Sequence, residues 1–320
     1  MAGKAAFRRI VAIGGGTGLP VLLTSLKDWT EDLTAVVTMA DDGGSSGRLR
    51  RELHVLPPGD IRNCLVALAD EDNELADLFQ YRFSNGTGLA RHNLGNLIIT
   101  ALAESGEGLT GAIDIVSRIL EVKGKVLPST LDDITLCATT KAHSHIRGQA
   151  IIARSGPLDS VFIDPGDAEA YEPAVEAIEE ADAIILGPGS LFTSIIPVLL
   201  VKGIYEAIRR SEAVKVYVCN TVNQRNETRG FTTADYLEAL EKHAGGDFVE
   251  VMVVNDQETS KDRLRRNEKD QEFVEEDPSR TVHPDVIKAD LMDPDNPLRH
   301  HPQRLKQVLY DILSRTGAYG

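Results

Sequence analysis

RRIVAIGGGTG, residues 8–18, is the stretch on which the fold turns. Arg8 to Ile13 is a short apolar run ended by glycines and reads as a buried strand. LPVLLTSLKDW (19–29) continues with the spacing of a helix. LTAVVTM (33–39), rich in β-branched residues, reads as a second strand. Strand, glycine turn, helix and strand in this order open a doubly wound, mostly parallel, Rossmann-like α/β sheet.

Outward from that unit, residues 55–125 predict a helical insertion. Asp60, Asn73, Asn93 or Gly95, and Thr110 each stand as a cap before an apolar pattern of threes and fours. Asp133 to Thr139 reads as a strand. Ala150 to Ile163 reads as strand, turn and strand, which predicts an antiparallel addition. Alternation then returns, with strands at Ala183–Leu186, Val214–Cys219 and Phe248–Val254. Helices are expected at Pro173–Glu180, Ser190–Arg210 (broken near Pro197 or Gly203), Thr233–His243 and Arg304–Leu313. The charge-dense stretch 258–280 reads as a solvated loop. No linker separates independent units, so residues 1–320 read as one α/β domain.

Of 320 residues, 42% are hydrophobic, enough for a sizeable core. The formal charge of −15 repels a phosphate backbone and argues against nucleic acid as a partner. A small anion remains compatible, because local main-chain N–H groups bind it against the global field. No apolar run reaches the ~20 residues of a membrane span, and the N-terminus lacks the pattern of a signal peptide, so a cytoplasmic location is expected. Cys64, Cys137 and Cys219 show no paired spacing and read as reduced, buried thiols.

Six motifs carry candidate chemistry. Gly14-Gly15-Gly16-Thr17-Gly18 lets main-chain amides approach a phosphate at a helix start. It is neither G-x-G-x-x-G nor a Walker A loop, which disfavours an NAD enzyme. Asp41-Asp42-Gly43-Gly44-Ser45-Ser46-Gly47-Arg48 leaves the second strand on the ligand side of the sheet. Its carboxylates suit hydroxyl groups or a Mg2+, and Arg48 suits a phosphate. Arg62 and Asn63 follow Pro57-Pro58-Gly59-Asp60 in a first helical turn. His92, Asn93 and Asn96 surround Gly95 at another. Gly187, Gly189, Ser190, Thr193 and Ser194 form a second strand–glycine–helix corner, a second phosphate cradle. Asn220, Asn223 and Glu227 leave a strand on the same edge, where they suit a base or sugar. Arg299 suits an anion. His143 and His145 lack further metal ligands, and no residue stands out as a nucleophile.

Together and in this order, IGGGTG (13–18), MADDGGSSGR (39–48), PPGDIRN (57–63), HNLGN (92–96), GPGSLFTS (187–194) and NTVNQRNET (220–228) resemble the YvcK-like gluconeogenesis factors. That group is similar to the CofD-like 2-phospho-L-lactate transferases. The resemblance implies a Rossmann-type core, a cytoplasmic location and binding of a UDP-sugar, notably UDP-N-acetylglucosamine, with a role in gluconeogenic growth, cell wall and cell shape. In the transferase branch, the position matching Asp42 contacts a deazaflavin acceptor and the stretch matching GPGSLFTS meets the guanine nucleotide. Here the motif has the YvcK-like form D-D-G-G-S-S-G.

Two readings follow. One is a regulator that binds a nucleotide sugar on Gly14–Gly18 and Ser190–Ser194. The other is a Mg2+-dependent transferase of a phosphorylated group, with Asp41 and Asp42 on the metal. A homo-oligomer is compatible with either reading.

Overall fold

The computed structural model describes residues 9–30, 32–70, 72–142, 144–256, 272–277 and 284–315. His143 and most of the charged stretch 258–280 lie outside them.

The central sheet has seven strands: β1 (Arg9–Gly14), β2 (Asp32–Val37), β3 (Lys125–Pro128), β7 (Ala183–Leu186), β8 (Val214–Val218), β9 (Val251–Asn255) and β10 (Asp285–Ala289). Their order is β10-β9-β8-β7-β1-β2-β3, and every pairing is parallel. β1, β2, β7, β8 and β9 are buried almost throughout, so helices cover both faces. This is why their sequences read as continuous apolar runs without alternation. The chain winds from β1 toward β3 and then from β7 toward β10. The direction therefore reverses between β1 and β7, where an open α/β sheet leaves a crevice beyond its carboxyl ends.

Helix α1 (Gly18–Leu26) buries Leu19, Leu22, Leu23 and Leu26. Between β2 and β3 lie α2 (Gly44–Leu53), α3 (Gly59–Leu68), α4 (Glu74–Gln80), α5 (Leu94–Leu102) and α6 (Gly108–Ile119). The last two are joined by a widened turn, Ala103–Glu107, with Gly106 at φ +114°. A second, antiparallel sheet has the order β5 (His145–Arg147), β4 (Thr135–Thr140), β6 (Leu158–Asp164). The short helix α7 (Gln149–Ile152) completes that addition. After it come α8 (Glu172–Glu179), the widened turn Leu191–Ile195, α9 (Ile196–Leu199), α10 (Ile204–Arg210) and α11 (Thr233–Ala244). Helix α12 (Pro302–Arg315) returns to pack on α1, with the Trp29 and Tyr310 rings 5.5 Å apart.

Several local expectations are corrected. Ala150 opens no strand: it lies in α7, because its N–H is held by the Asp42 carboxylate at 2.8 Å. Asp60 does not cap α3, whose N-cap is Pro58; it lies in the first turn and is buried. Thr110 lies inside α6, which starts at Gly108. Asn73 and Asn93 are caps, accepting from the N–H groups of Leu75 and Asn96. Helix α2 and strands β3 and β10 are additions to the expected plan. α2 begins inside a glycine-serine run, β3 ends in Pro128, and β10 is an edge strand with a mixed, half-exposed pattern.

Candidate functional site

The two glycine corners follow β1 and β7, the neighbouring strands at the reversal point, and they touch. A Cβ on Gly18 would lie 2.2 Å from the Pro188 carbonyl oxygen, and one on Gly16 would lie 3.2 Å from Ser194 Oγ. Gly16 has φ +65° and Gly187 φ +75°, backbone that favours glycine. The first corner hangs from Thr38 N–H, donated to Gly14 O at 2.9 Å. The second hangs from Gly187 N–H, donated to Ile13 O at 2.9 Å. No side chain caps the start of α1, and its first turn carries no acidic residue. The amides there keep their donors for an anion, and the helix end adds partial positive charge.

A cavity of about 500 Å3 opens on these corners. Gly16, Thr17 and Gly18 form one wall, and Gly189, Ser190, Thr193 and Ser194 the next. Asn220, Asn223 and Arg299 close the far side. Ten residues singled out in the sequence thus share one cavity. Gln149, Gln224, Arg225 and His300 join them. Sequence reading missed Gln149, because nothing local connects α7 to the first corner, and His300, although Arg299 beside it was singled out. Burial pushes His300 down to about 4, so its ring is neutral at physiological pH.

The remaining candidates form a buried polar cluster behind the first corner. Asp41 accepts from Gly43 N–H at 2.9 Å and from the Ser46 hydroxyl. Ser46 also takes the Asn96 amide at 3.3 Å, and Ser45 Oγ lies 3.1 Å from His92 Nδ1 and takes Asn93 N–H at 3.3 Å. Arg62 donates to Asn63 Oδ1, while its Nε and Nη1 are buried without partners. Arg48 donates to Ala90 O at 2.9 Å, which spends part of its guanidinium away from the cavity. Gly15 and Gly59 are small for a reason: a Cβ on the first would press Thr38 Cγ2 at 2.4 Å, and on the second Ser46 Oγ at 2.3 Å.

Asp60 links this cluster to the corner, its carboxylate accepting Gly16 N–H. Burial, with the Asp41 carboxylate beside it, raises its pKa to about 7 despite Arg62. Asp41 is raised as well, mainly by burial. Burial, with the neighbouring Arg82, lowers Arg62 to about 10, which still leaves it charged at neutral pH. Asp60 is therefore part-protonated around neutral pH.

Asp42 goes elsewhere. Its Oδ1 accepts Ala150 N–H at 2.8 Å, and a Cβ on Gly148 would lie 2.6 Å from its Oδ2. This carboxylate latches α7 and the antiparallel sheet onto the core. Asp42→Ala is expected to cost about 1 kcal/mol, the usual net worth of one such bond. Hydrogen exchange at Ala150 should speed up in the variant; unchanged exchange there would refute the latch. Asp41 and Asp42 thus serve different partners. Among the described residues no three His, Cys, Asp or Glu side chains cluster as metal ligands.

The three cysteines are buried free thiols, and burial pushes each above its ordinary pKa, which makes them inert. No helix among the described residues is long and apolar enough to cross a membrane.

Comparison with known proteins gives one answer by three routes. The family described as "2-phospho-L-lactate transferase CofD" matches residues 10–292. The gluconeogenesis factor of Halalkalibacterium halodurans is 39% identical over 316 residues, covering 97% of this chain and 98% of that one. The gluconeogenesis factor of Bacillus subtilis is 40% identical, over 95% and 98% of the two chains. The crystal structure of a UPF0052 family protein from Bacillus halodurans superposes with a TM-score of 0.87 at 39% identity, covering 95% of this chain and 99% of that one. Over nearly its whole length, then, the chain belongs to the CofD family and is a relative of the gluconeogenesis factors.

Proposed function

We propose that this chain is a regulatory factor that binds a nucleotide sugar, with UDP-N-acetylglucosamine as its ligand. In this reading the diphosphate rests on the amides of Thr17 and Gly18 and on the hydroxyl-rich turn Ser190–Ser194. Asn220, Asn223 and Arg299 take the base and sugar. The observation that carries it is the contact between Gly18 and the Pro188 carbonyl, which brings two phosphate-type corners to one cavity. A cavity of about 500 Å3 is of the size that small ligands fill. The names of the relatives support a role in gluconeogenic growth, and a cytoplasmic site of action accompanies that role.

The transferase reading needs a divalent ion on Asp41 and Asp42. The bond from Ala150 to Asp42 argues against it. Calorimetry distinguishes the two readings. UDP-N-acetylglucosamine is expected to bind with a Kd in the micromolar range, about −8 kcal/mol, and without added metal. Absence of heat at millimolar ligand would refute the proposal. Binding that appears only with Mg2+ would favour the transferase.

A further inference from the structure

Glu227 lies directly behind the second corner and is 6% exposed. Ser190 donates its hydroxyl to Glu227 Oε2, and Thr193 donates to Oε1 at 3.1 Å. Phe192 N–H is a further donor to it. Around it stand Ser190, Phe192 and Thr193 of the corner and Tyr236 of α11; beyond the Phe192 ring lies His243. Among the described residues no cationic side chain faces it.

This arrangement creates a conflict. Ser190 Oγ already accepts Thr193 N–H at 3.2 Å and lies 2.6 Å from the Thr193 hydroxyl. Its single proton goes to Glu227. While Glu227 is ionised, Ser190 has no donor left for an anion in the cavity, although it lines the wall. A negative charge also stands one hydroxyl behind the place where phosphate charge arrives, in a medium that screens it poorly. A protonated Glu227 reverses both. It donates instead of accepting, and the Ser190 proton is free to turn outward.

We propose that Glu227 is the positioning residue of the second corner, taking up one proton as the anionic ligand seats and thereby converting Ser190 into a donor to that ligand. The assignment rests on the reading of the cavity as a diphosphate site. Burial already pushes the Glu227 carboxyl above its usual range, which brings proton uptake nearer to neutral pH. The sign follows from linkage. Below the pKa of the free protein, Glu227 carries its proton before and after binding, and affinity does not depend on pH. Between that value and the higher value of the complex, binding consumes a proton, and affinity falls as pH rises, by up to about tenfold per unit.

The test is titration calorimetry with UDP-N-acetylglucosamine, whose diphosphate has no proton to lose near neutrality. It is run in two buffers of different ionisation enthalpy from pH 5 to 8. Wild type is expected to take up close to one proton where affinity is falling. Glu227→Gln, which presents an amide donor to Ser190 at every pH, is expected to take up correspondingly less and to bind more tightly than wild type at pH 8. Ser190→Ala removes the hydroxyl that transmits the exchange and is expected to lose the same uptake. Any proton taken up by Asp60, under the other corner, is common to all three proteins and drops out of the difference. Heat with equal uptake in wild type and Glu227→Gln overturns this assignment alone. Absence of heat in wild type overturns the diphosphate reading and the assignment with it.

Discussion

Gly18→Ala is expected to destabilise the protein by up to about 2 kcal/mol and to weaken binding of the proposed nucleotide sugar on the order of 100-fold. Two effects oppose each other at this position. Alanine is intrinsically the better helix residue, by ~1 kcal/mol. Its Cβ, however, would lie 2.2 Å from the Pro188 oxygen and 2.6 Å from its carbonyl carbon, both main-chain atoms that no rotamer change removes. Overpacking of a tight contact costs about 1–3 kcal/mol and wins here, because the second corner is tied to β1 by Gly187 N–H. The corners must separate, and an anion bridging them then loses charge-assisted bonds worth about 1.5–3 kcal/mol each; one such bond at the upper end of that range, or two at the lower, accounts for about 100-fold. Urea unfolding and calorimetry check the two halves. A variant as stable and as competent as wild type would show that the corners do not bear on each other.

Asp60→Asn is expected to stabilise the protein at pH 8 by about 2 kcal/mol and to flatten its stability between pH 4 and 8. A carboxyl raised to about 7 in the folded chain, against about 4 unfolded, binds its proton more tightly when folded. The folded state therefore holds more protons across that window, and stability falls as pH rises. Below pH ~4 the contribution is fully present; above pH ~7 it is lost. The three-unit difference sets a ceiling of ~4 kcal/mol. About half is expected to be recovered, since the charge of Asp60 also compensates Arg62, which stays buried in the variant. Asparagine keeps an oxygen for Gly16 N–H, so the corner retains its support. Unfolding midpoints at pH 5 and pH 8 decide the matter: a wild type equally stable at both sinks the argument.

The parallel core was legible because its strands are buried on both faces, and β1 and β7 run straight into glycine. RRIVAI, AIIL and VKVYVC need no tertiary information to be recognised. Both corners were legible for the same reason, since glycines between a strand and a helix have few structural uses. What local pattern did not reveal depends on distant partners. Asp42 and Ala150 are 108 residues apart, and their bond turns an expected strand into α7. Asp60 looked like a helix cap; its pairing with Asp41 and Gly16 exists only once α3 packs against α1 and β2. Gln149 reaches the cavity from a segment with no motif of its own. Edge strands β3 and β10 escaped because an edge tolerates proline, charge and exposure that a central strand forbids.

The contact between α12 and α1 has a consequence for how the chain comes to be folded. The first βα unit emerges early from the ribosome, yet the surface on which Leu305, Leu309, Ile312 and Leu313 bury themselves includes the outer side of α1. That apolar strip stays uncovered until residues 302–315 are synthesised. Long-range closure of this kind slows folding and lengthens exposure to aggregation. A nascent chain stalled before residue 302 should carry its opening helix half-dressed, a natural handle for chaperones.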